Sequence, residues 1–212
     1  MSENYIIKLL TLGYTTVGKT SITLRYSENK FRNTFFSTIG VDSKSKSIKI
    51  GKDTVKVTIR DTAGQEKYQS IAKTYYLGVN GALLIYDITN EFSFQKVDFW
   101  YNDLKNNANI DEMFLCLVGN KMDLKQNRVV ARETAEKYAK EKNIPYYEVS
   151  AKSGEGIKLL FDDIINKIVK KIKLNLSLDK DIEERGRTSL LNNEDYEDIT
   201  EKKQRCRCRR CC

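Results

Sequence analysis

Residues 13–20 read Gly13-Tyr14-Thr15-Thr16-Val17-Gly18-Lys19-Thr20 and match G-x-x-x-x-G-K-[ST], a pattern in which a glycine-containing turn binds phosphate. The mostly apolar residues 5–12 before it predict a buried strand, and residues 22–26 continue without glycine or proline, as a helix would. Backbone N–H groups and the positive end of the helix dipole attract an anion at such a turn. We expect Lys19 to reach the β- and γ-phosphates and the Thr20 hydroxyl to bind Mg²⁺. For the pattern alone, an ordinary turn before a helix is the alternative.

The length and charge of the chain restrict its class. The 212 residues suffice for one domain and a tail. No run of about 18 apolar residues exists, so no membrane-spanning helix is expected, and residues 1–4 lack the start of a secretory signal. The net charge is +8, and residues 202–212 hold six basic residues and no acidic one. A nucleic-acid binder usually carries its basic face on the folded domain, whereas a basic terminal segment suits an anionic membrane surface.

The five cysteines are unevenly placed. Cys116 lies in an apolar run and is expected in the core, whereas four cysteines crowd residues 206–212. A disulfide framework is disfavoured without an export signal. A zinc site in the tail is a weak alternative, because the tail is rich in arginine and the chain has no histidine.

The rest of the chain alternates strand and helix patterns. A hairpin is predicted over 41–61, turning at 51–53, with a polar first strand at the edge of the sheet. Further strands are predicted at 81–87, 113–118 and 146–149, and helices at 93–106, 131–142 and 157–172. Such alternation predicts an α/β fold, with a mainly parallel sheet covered on both faces and a ligand beyond the carboxyl ends of the strands.

The periodic pattern stops past Leu178. We predict a folded domain over residues 1–178 and a disordered linker over 179–205, which is rich in charge, Asn and Ser. Residues 206–212 form a Cys-rich segment that we predict to be the membrane anchor.

Four motifs agree in order and spacing with the Ras-like small GTPases, and within them the chain resembles the Rab family. They are residues 13–20, Ser37-Thr38-Ile39-Gly40, Asp61-Thr62-Ala63-Gly64-Gln65 and Asn120-Lys121-Met122-Asp123. The resemblance covers residues 5–174 and the extreme C-terminus. It implies a P-loop NTPase of Ras-like fold, with a six-stranded, mainly parallel sheet and helices on both faces. It also implies a GTP/GDP switch that hydrolyses GTP and recruits effectors in vesicle trafficking.

The resemblance assigns roles around the phosphates. The Thr38 hydroxyl would bind Mg²⁺ and its N–H the γ-phosphate, and Asp61 would hold the metal through water. The Gly64 N–H would contact the γ-phosphate, and Gln65 would orient the attacking water. Phe31 would lie edge-on to the guanine, with a packed loop aromatic as its alternative.

The resemblance also assigns residues that would bind the guanine base. Asp123 would accept hydrogen bonds from guanine N1–H and the 2-amino group, which penalises ATP. Lys121 would pack along the ring, Asn120 would connect this loop to the phosphate loop, and the Ala151 N–H would bind guanine O6. In full, the predicted GTP-binding residues are Gly13, Thr15, Thr16, Val17, Gly18, Lys19, Thr20, Ser21, Phe31, Thr38, Gly64, Asn120, Lys121, Asp123, Ser150, Ala151 and Lys152. The predicted metal ligands are Thr20, Thr38 and Asp61, and the predicted catalytic residue is Gln65.

The terminal Cys211-Cys212 resembles the ending that Rab proteins have geranylgeranylated on both thiols, and two lipid chains anchor stably where one is marginal. This implies a peripheral, lipid-anchored protein on the cytoplasmic face of an endomembrane that cycles with the cytosol. The implied partners are an exchange factor, a GTPase-activating protein, a prenyl escort or GDI, and effectors, with no nucleic acid. Cys206 and Cys208 could carry further acyl groups.

The chain departs from the family at two places. Ser43 and Arg60 stand where Rab proteins usually have an aromatic residue and a tryptophan, so only Tyr75 of the effector-binding aromatic patch remains. Thr15 and Thr16 replace small residues of the phosphate loop, and a β-branched residue there must keep φ negative or carry strain. A slowly or non-hydrolysing GTP-binding interaction module is therefore the alternative function. An ATP-using phosphotransferase is disfavoured by the Asn120-Lys121-x-Asp123 motif.

Overall fold

The computed structural model describes residues 3–32, 41–62 and 76–177. By its contacts the chain divides into a unit of residues 1–168 and a second unit of residues 169–212. The first unit contains the sheet and its helices. In the second unit the described residues, 169–177, are helical. The boundary predicted at residue 178 stays a prediction.

Within the described ranges the sheet has six strands, in the order β2-β3-β1-β4-β5-β6. Only β2 and β3 pair antiparallel, because they form a hairpin; every other neighbouring pair is parallel. This confirms the predicted α/β class with a mainly parallel sheet. The strands are β1 (Asn4–Leu12), β2 (Val41–Ile50), β3 (Asp53–Thr62), β4 (Gly81–Asp87), β5 (Phe114–Asn120) and β6 (Tyr146–Glu148).

The helices follow the sequence patterns with one difference. The predicted helix 93–106 is wrong in its start and its continuity, since a short helix precedes a longer one. The Asn90 side chain accepts a hydrogen bond from the Ser93 backbone N–H and so begins the helix earlier. The helices are α1 (Lys19–Glu28), α2 (Glu91–Gln95), α3 (Val97–Asn107), α4 (Arg132–Glu141) and α5 (157–168), and a 3-10 helix spans Met122–Asn127.

The core lies on both faces of the central strands. Strand β4 is buried along its whole length, as expected of a parallel strand with helices on both sides. Val55, Val57 and Ile59 of β3 are fully buried, which confirms the predicted alternation. Cys116 is fully buried in β5 and burial raises the pKa of its thiol, so it is the core residue that the sequence predicted. No helix within the described ranges is long and apolar enough to cross a membrane.

Candidate functional site

The turn between β1 and α1 is fixed by two glycines that approach other parts of the chain closely. Gly13 has φ of 148°, and a Cβ there would overlap the backbone carbonyl of Ile85 in β4. Gly18 has φ of 96°, caps α1 in a left-handed conformation, and a Cβ there would overlap the Asn120 side-chain amide. Both positions therefore require glycine because of their neighbours as well as their backbone torsions.

Thr16 is the exception in this turn. It has φ of 63° and is exposed, so a β-branched residue occupies the left-handed region. Of the two possibilities left by the sequence, a negative φ or strain, the structure shows strain at Thr16. Thr15 is not among the described residues with positive φ.

Lys19 is held inside the turn. Its Nζ donates hydrogen bonds to the carbonyl oxygens of Gly13 and Tyr14, both at 2.9 Å, and the residue is 5% exposed. Burial lowers the Lys19 pKa to about 8, and the nearby Asp61 carboxylate partly opposes this shift. A lysine held this way presents its ammonium at the mouth of a ring of backbone amides, where a phosphate would bind.

Asp61 links the end of β3 to the start of α1. Its Oδ2 accepts a hydrogen bond from the Thr20 hydroxyl at 2.5 Å, and its Oδ1 accepts one from the Thr11 hydroxyl at 3.1 Å. Burial raises the pKa of the Asp61 carboxyl, against the effects of Thr20, Lys19 and Thr11. A hard divalent cation prefers oxygen ligands of this kind and would favour the ionised carboxylate, so the Thr20–Asp61 pair fits Mg²⁺.

The side chain of Asn120 joins two loops to the phosphate loop. Its Nδ2 donates to the Val17 carbonyl at 2.7 Å, and its Oδ1 accepts from the Ala151 backbone N–H at 3.1 Å. Asn120 is 2% exposed, so both bonds are shielded from water. The loops that follow β1, β5 and β6 thus meet at one side chain, as expected where parallel strands end together.

Lys121 and Asp123 are each held by a partner. Lys121 has φ of 69°, and its Nζ lies 2.6 Å from Oδ2 of Asp87, at the end of β4. The Asp123 carboxylate accepts a hydrogen bond from the Ser150 hydroxyl at 2.6 Å. The two charged groups predicted to contact a guanine are therefore orientated by residues of two further strand ends.

Three residues of this network were missed from the sequence: Thr11, Arg25 and Asp87. Arg25, in the last turn of α1, donates from Nε to the Ala151 carbonyl at 2.8 Å and from Nη2 to the Lys152 carbonyl at 2.6 Å. Asp87 could have been found as a charged residue that ends a fully apolar strand. Nothing in the local pattern distinguishes Arg25, since its partners lie more than a hundred residues away in sequence.

The remaining predicted site residues are placed as follows. Val17 and Ser21 are buried at the start of α1, and Phe31 is half-buried beyond its end. Thr38, Gly64, Gln65, Tyr75 and the cysteines at 206, 208, 211 and 212 lie outside the described residues. The described ranges contain no group of three or more His, Cys, Asp or Glu arranged to hold a metal.

The exposed face of the hairpin is polar, as predicted. Ser43 lies opposite Arg60, Ser45 opposite Thr58, and Ser47 opposite Lys56. The hydroxyls of Ser45 and Thr58 are 3.1 Å apart. Apolar side chains are absent from these three cross-strand pairs.

Comparison with known proteins gives consistent matches. A model of the Ras family matches residues 8–170. The Ras-related protein Rab-21 of Bos taurus is 42% identical over 167 residues, covering 79% of this chain and 75% of that protein. The Ras-related protein Rab-13 of Mesocricetus auratus is 39% identical over 168 residues, covering 79% and 82%. The GTP-binding protein YPTM2 of Zea mays is 40% identical over 158 residues, covering 74% and 77%.

Proposed function

This chain belongs to the Ras family as a Rab-type small GTPase that binds and hydrolyses GTP, and on that premise we propose how its own residues perform this function. The observation that carries the proposal is the Asn120 side chain, which connects the phosphate loop to the Ala151 loop. We assign the phosphates to residues 13–21 and the guanine to Phe31 and the loops at 120–123 and 150–152. Within this frame Lys19 neutralises phosphate charge, and Asp123 accepts hydrogen bonds from the base.

Mg²⁺ is assigned to Thr20, Asp61 and Thr38. The Thr20 hydroxyl and the Asp61 carboxylate already lie within hydrogen-bond distance of each other, which supports them as residues that would together hold one divalent cation. When bound, Mg²⁺ neutralises the charge that develops on the transferred phosphoryl group. Thr20 and Asp61 would hold that cation, and Gln65 would position the attacking water, since an amide cannot act as a strong base.

The test is single-turnover phosphate release from the GTP-loaded chain. We expect release at about 10⁻⁴ to 10⁻³ s⁻¹, the intrinsic range of Ras-like proteins. Gln65→Leu should abolish release, whereas the exposed Gln95→Leu should leave the rate unchanged, and excess ATP should not displace GTP. Equal rates in the two variants would refute the role of Gln65, and displacement by ATP would refute the guanine assignment.

A slowly hydrolysing switch is the second candidate, and Thr16 favours it. Its exposed side chain and positive φ replace a small residue of the phosphate loop, and the neighbouring Thr15 would stand near where an activating protein's arginine or glutamine enters. The same experiment separates the candidates: tight GTP binding without phosphate release favours the second. Release in the intrinsic range that an activating protein cannot accelerate would also favour it.

We further propose that geranylgeranyl groups on Cys211 and Cys212 attach the protein to the cytoplasmic face of an endomembrane. The six basic residues at 202–212 would add attraction to anionic lipids. Membrane flotation after prenylation should fail for Cys211→Ser/Cys212→Ser and persist for the matched Cys206→Ser/Cys208→Ser. Loss of flotation in both double variants alike would contradict this assignment.

The implied partners are an exchange factor, an activating protein, a lipid-shielding escort and effectors. The polar pair Ser43 and Arg60 on the exposed hairpin face supports effectors that differ from those of Rab proteins with an aromatic patch. We expect effectors of the aromatic type to bind poorly and to gain affinity for Ser43→Phe/Arg60→Trp. No gain in affinity for any such effector would contradict this proposal.

A further inference from the structure

An edge-to-face aromatic pair links the phosphate loop to the short helix α2. The ring of Tyr14, which follows Gly13 in the loop, has its centroid 5.1 Å from that of Phe92, with an interplanar angle of 83°. Aromatic side chains prefer this arrangement, and such pairs contribute more than the apolar area they bury. Tyr14 is half-buried and Phe92 is 48% exposed, so the pair lies at the surface and is not part of the core.

The conformation of the phosphate loop gives this contact a purpose. Thr16 has positive φ, and a strained torsion persists only where the surrounding structure holds it. The loop lies against Ile85 of β4 at one end and against Asn120 at the other. The ring of Tyr14 adds a contact with a different element, on the segment between these two ends.

Helix α2 gives Phe92 a fixed position. The Ser93 hydroxyl accepts a hydrogen bond from the backbone N–H of Asp87 at 3.0 Å, and Ser93 is buried. The Phe94 ring lies edge-on to Tyr86 of β4, with ring centroids 4.9 Å apart. Both contacts attach α2 to the end of β4, so the Phe92 ring is a fixed support.

The backbone of Tyr14 contacts the lysine that the loop encloses. Its carbonyl oxygen accepts a hydrogen bond from Lys19 Nζ at 2.9 Å. The same planar peptide unit carries the N–H of Thr15, so the carbonyl and this N–H move together. A displacement of Tyr14 would break the bond to Lys19 and move the Thr15 N–H with it. The ring contact with Phe92 opposes this displacement, because it fixes the Cα from which the peptide unit extends.

We propose that Tyr14 and Phe92 are positioning residues that hold the phosphate loop in the shape that binds a nucleoside diphosphate. The pair acts through the Tyr14 carbonyl on Lys19, which is assigned to the phosphates, so the inference rests on the proposed function. Its effect should appear for GDP and not for GMP, which has no β-phosphate. A pair that only stabilised the fold would affect GDP and GMP alike.

The experiment measures the Kd of GDP and of GMP for the full chain, by displacement of a fluorescent GDP analogue whose own Kd is determined for each variant. Tyr14→Leu and Phe92→Leu each remove one ring and keep an apolar side chain, at positions without positive φ. Tyr14→Phe is the conservative variant, because it keeps the ring. Phe99→Leu is the matched control, since Phe99 is also an exposed ring and, like Phe92, lies beneath Lys96 Nζ.

We expect each of the two leucine variants at the pair to weaken GDP binding by about two- to tenfold, as the loss of an aromatic pair would give, and to leave GMP binding within about twofold. Tyr14→Phe and Phe99→Leu should bind both nucleotides as the wild type does. The double variant Tyr14→Leu/Phe92→Leu should be about as weak as the weaker single variant, because the first substitution already removes the contact.

Several results would overturn this inference and leave the proposed function intact. These are unchanged GDP affinity in both single leucine variants, equal weakening of GDP and GMP, and single effects that multiply in the double variant. A loss of GDP affinity in Phe99→Leu as large as that in Phe92→Leu would have the same consequence. A wild type that binds GMP as tightly as GDP would instead refute the phosphate assignment of the proposed function, and the inference with it.

Discussion

Replacing Thr16 by glycine should make the protein more stable, although it truncates a side chain. Thr16 is the β-branched residue that occupies the left-handed region in the phosphate loop, with φ of 63°. It is exposed, so its side chain contributes little packing that the change would remove. The dominant effect is therefore the relief of backbone strain.

The size of the effect follows from two opposing contributions. A side-chain-bearing residue in the left-handed region costs roughly 1–2 kcal/mol relative to the right-handed region, and a β-branched residue lies at the upper end. The change to glycine also lowers the free energy of unfolding by about 0.5–1 kcal/mol, because the unfolded chain gains conformational freedom. The net gain in the free energy of unfolding is about 1 kcal/mol, which corresponds to a rise of roughly 2–4 °C in Tm for a domain of this size.

The assay is urea denaturation followed by circular dichroism, with every variant saturated by the same excess of GDP over its own Kd, because bound nucleotide adds to stability. Thr15→Gly is the matched control. Its φ is not among the positive values, so it should lose about 0.5–1 kcal/mol through the unfolded state alone. Opposite signs for adjacent threonines are the diagnostic result. If Thr16→Gly is no more stable than the wild type, or if both variants gain alike, the strain at Thr16 is refuted.

Three further predictions concern the contacts of the site. Burial lowers the Lys19 pKa to about 8, so between about pH 8 and 10.5 the unfolded chain binds a proton that the folded chain has lost, and the free energy of unfolding rises with pH there. Between about pH 7.5 and 9.5, denaturant titrations should show the free energy of unfolding of the nucleotide-free wild type rising by about 1–2 kcal/mol more than that of Lys19→Met. Equal pH responses of the two proteins would contradict this. Asn120→Ala leaves two buried backbone groups without their partner, so it should lower the free energy of unfolding, measured in urea, by about 2–4 kcal/mol. The control Asn102→Ala, at an exposed position, should change it by less than about 0.5 kcal/mol. Similar losses in both variants would argue against a specific role of Asn120. Arg25→Ala removes two hydrogen bonds to the carbonyls of residues 151 and 152 and should accelerate release of a fluorescent GDP analogue about tenfold. The control Arg132→Ala, at an exposed position, should not change the release rate. Unchanged release in Arg25→Ala would show that Arg25 does not support the loop at 150–152.

The elements of the fold could be predicted because their patterns are local. The alternation of Val55, Val57 and Ile59 identifies a strand with one buried face, and all three are buried. The start of α2 differs from the prediction because it is set by a single capping hydrogen bond at Asn90, whereas the prediction rests on the spacing of apolar residues further along the helix. Boundaries set by one hydrogen bond are invisible to a pattern that needs several residues.

The site residues likewise divide into those that a local motif predicts and those that depend on partners distant in sequence. Gly13, Lys19 and Thr20 belong to a contiguous motif, so the sequence alone places them together. Arg25 and Asp87 contribute through partners that are distant in sequence, and a single chain gives no signal for such pairs. The structure was needed for the contacts of Arg25 and Asp87, whereas the family resemblance already implied that Asn120 connects its loop to the phosphate loop, and the parallel topology predicted that these strand ends would meet.

The phosphate loop shows why some of its positions are restricted and another has changed. At Gly13 and Gly18 a side chain would enter the space of Ile85 and of Asn120, in addition to the torsional penalty of a positive φ. At Thr16 the side chain is exposed and the penalty is torsional alone, about 1–2 kcal/mol, which the rest of the domain can offset. Steric restriction by the neighbouring strands thus preserves the two glycines, whereas a purely torsional restriction tolerates threonine. The loop keeps its shape because β4 and Asn120 enclose it, and its exposed residues are free to adapt to whichever partner approaches them.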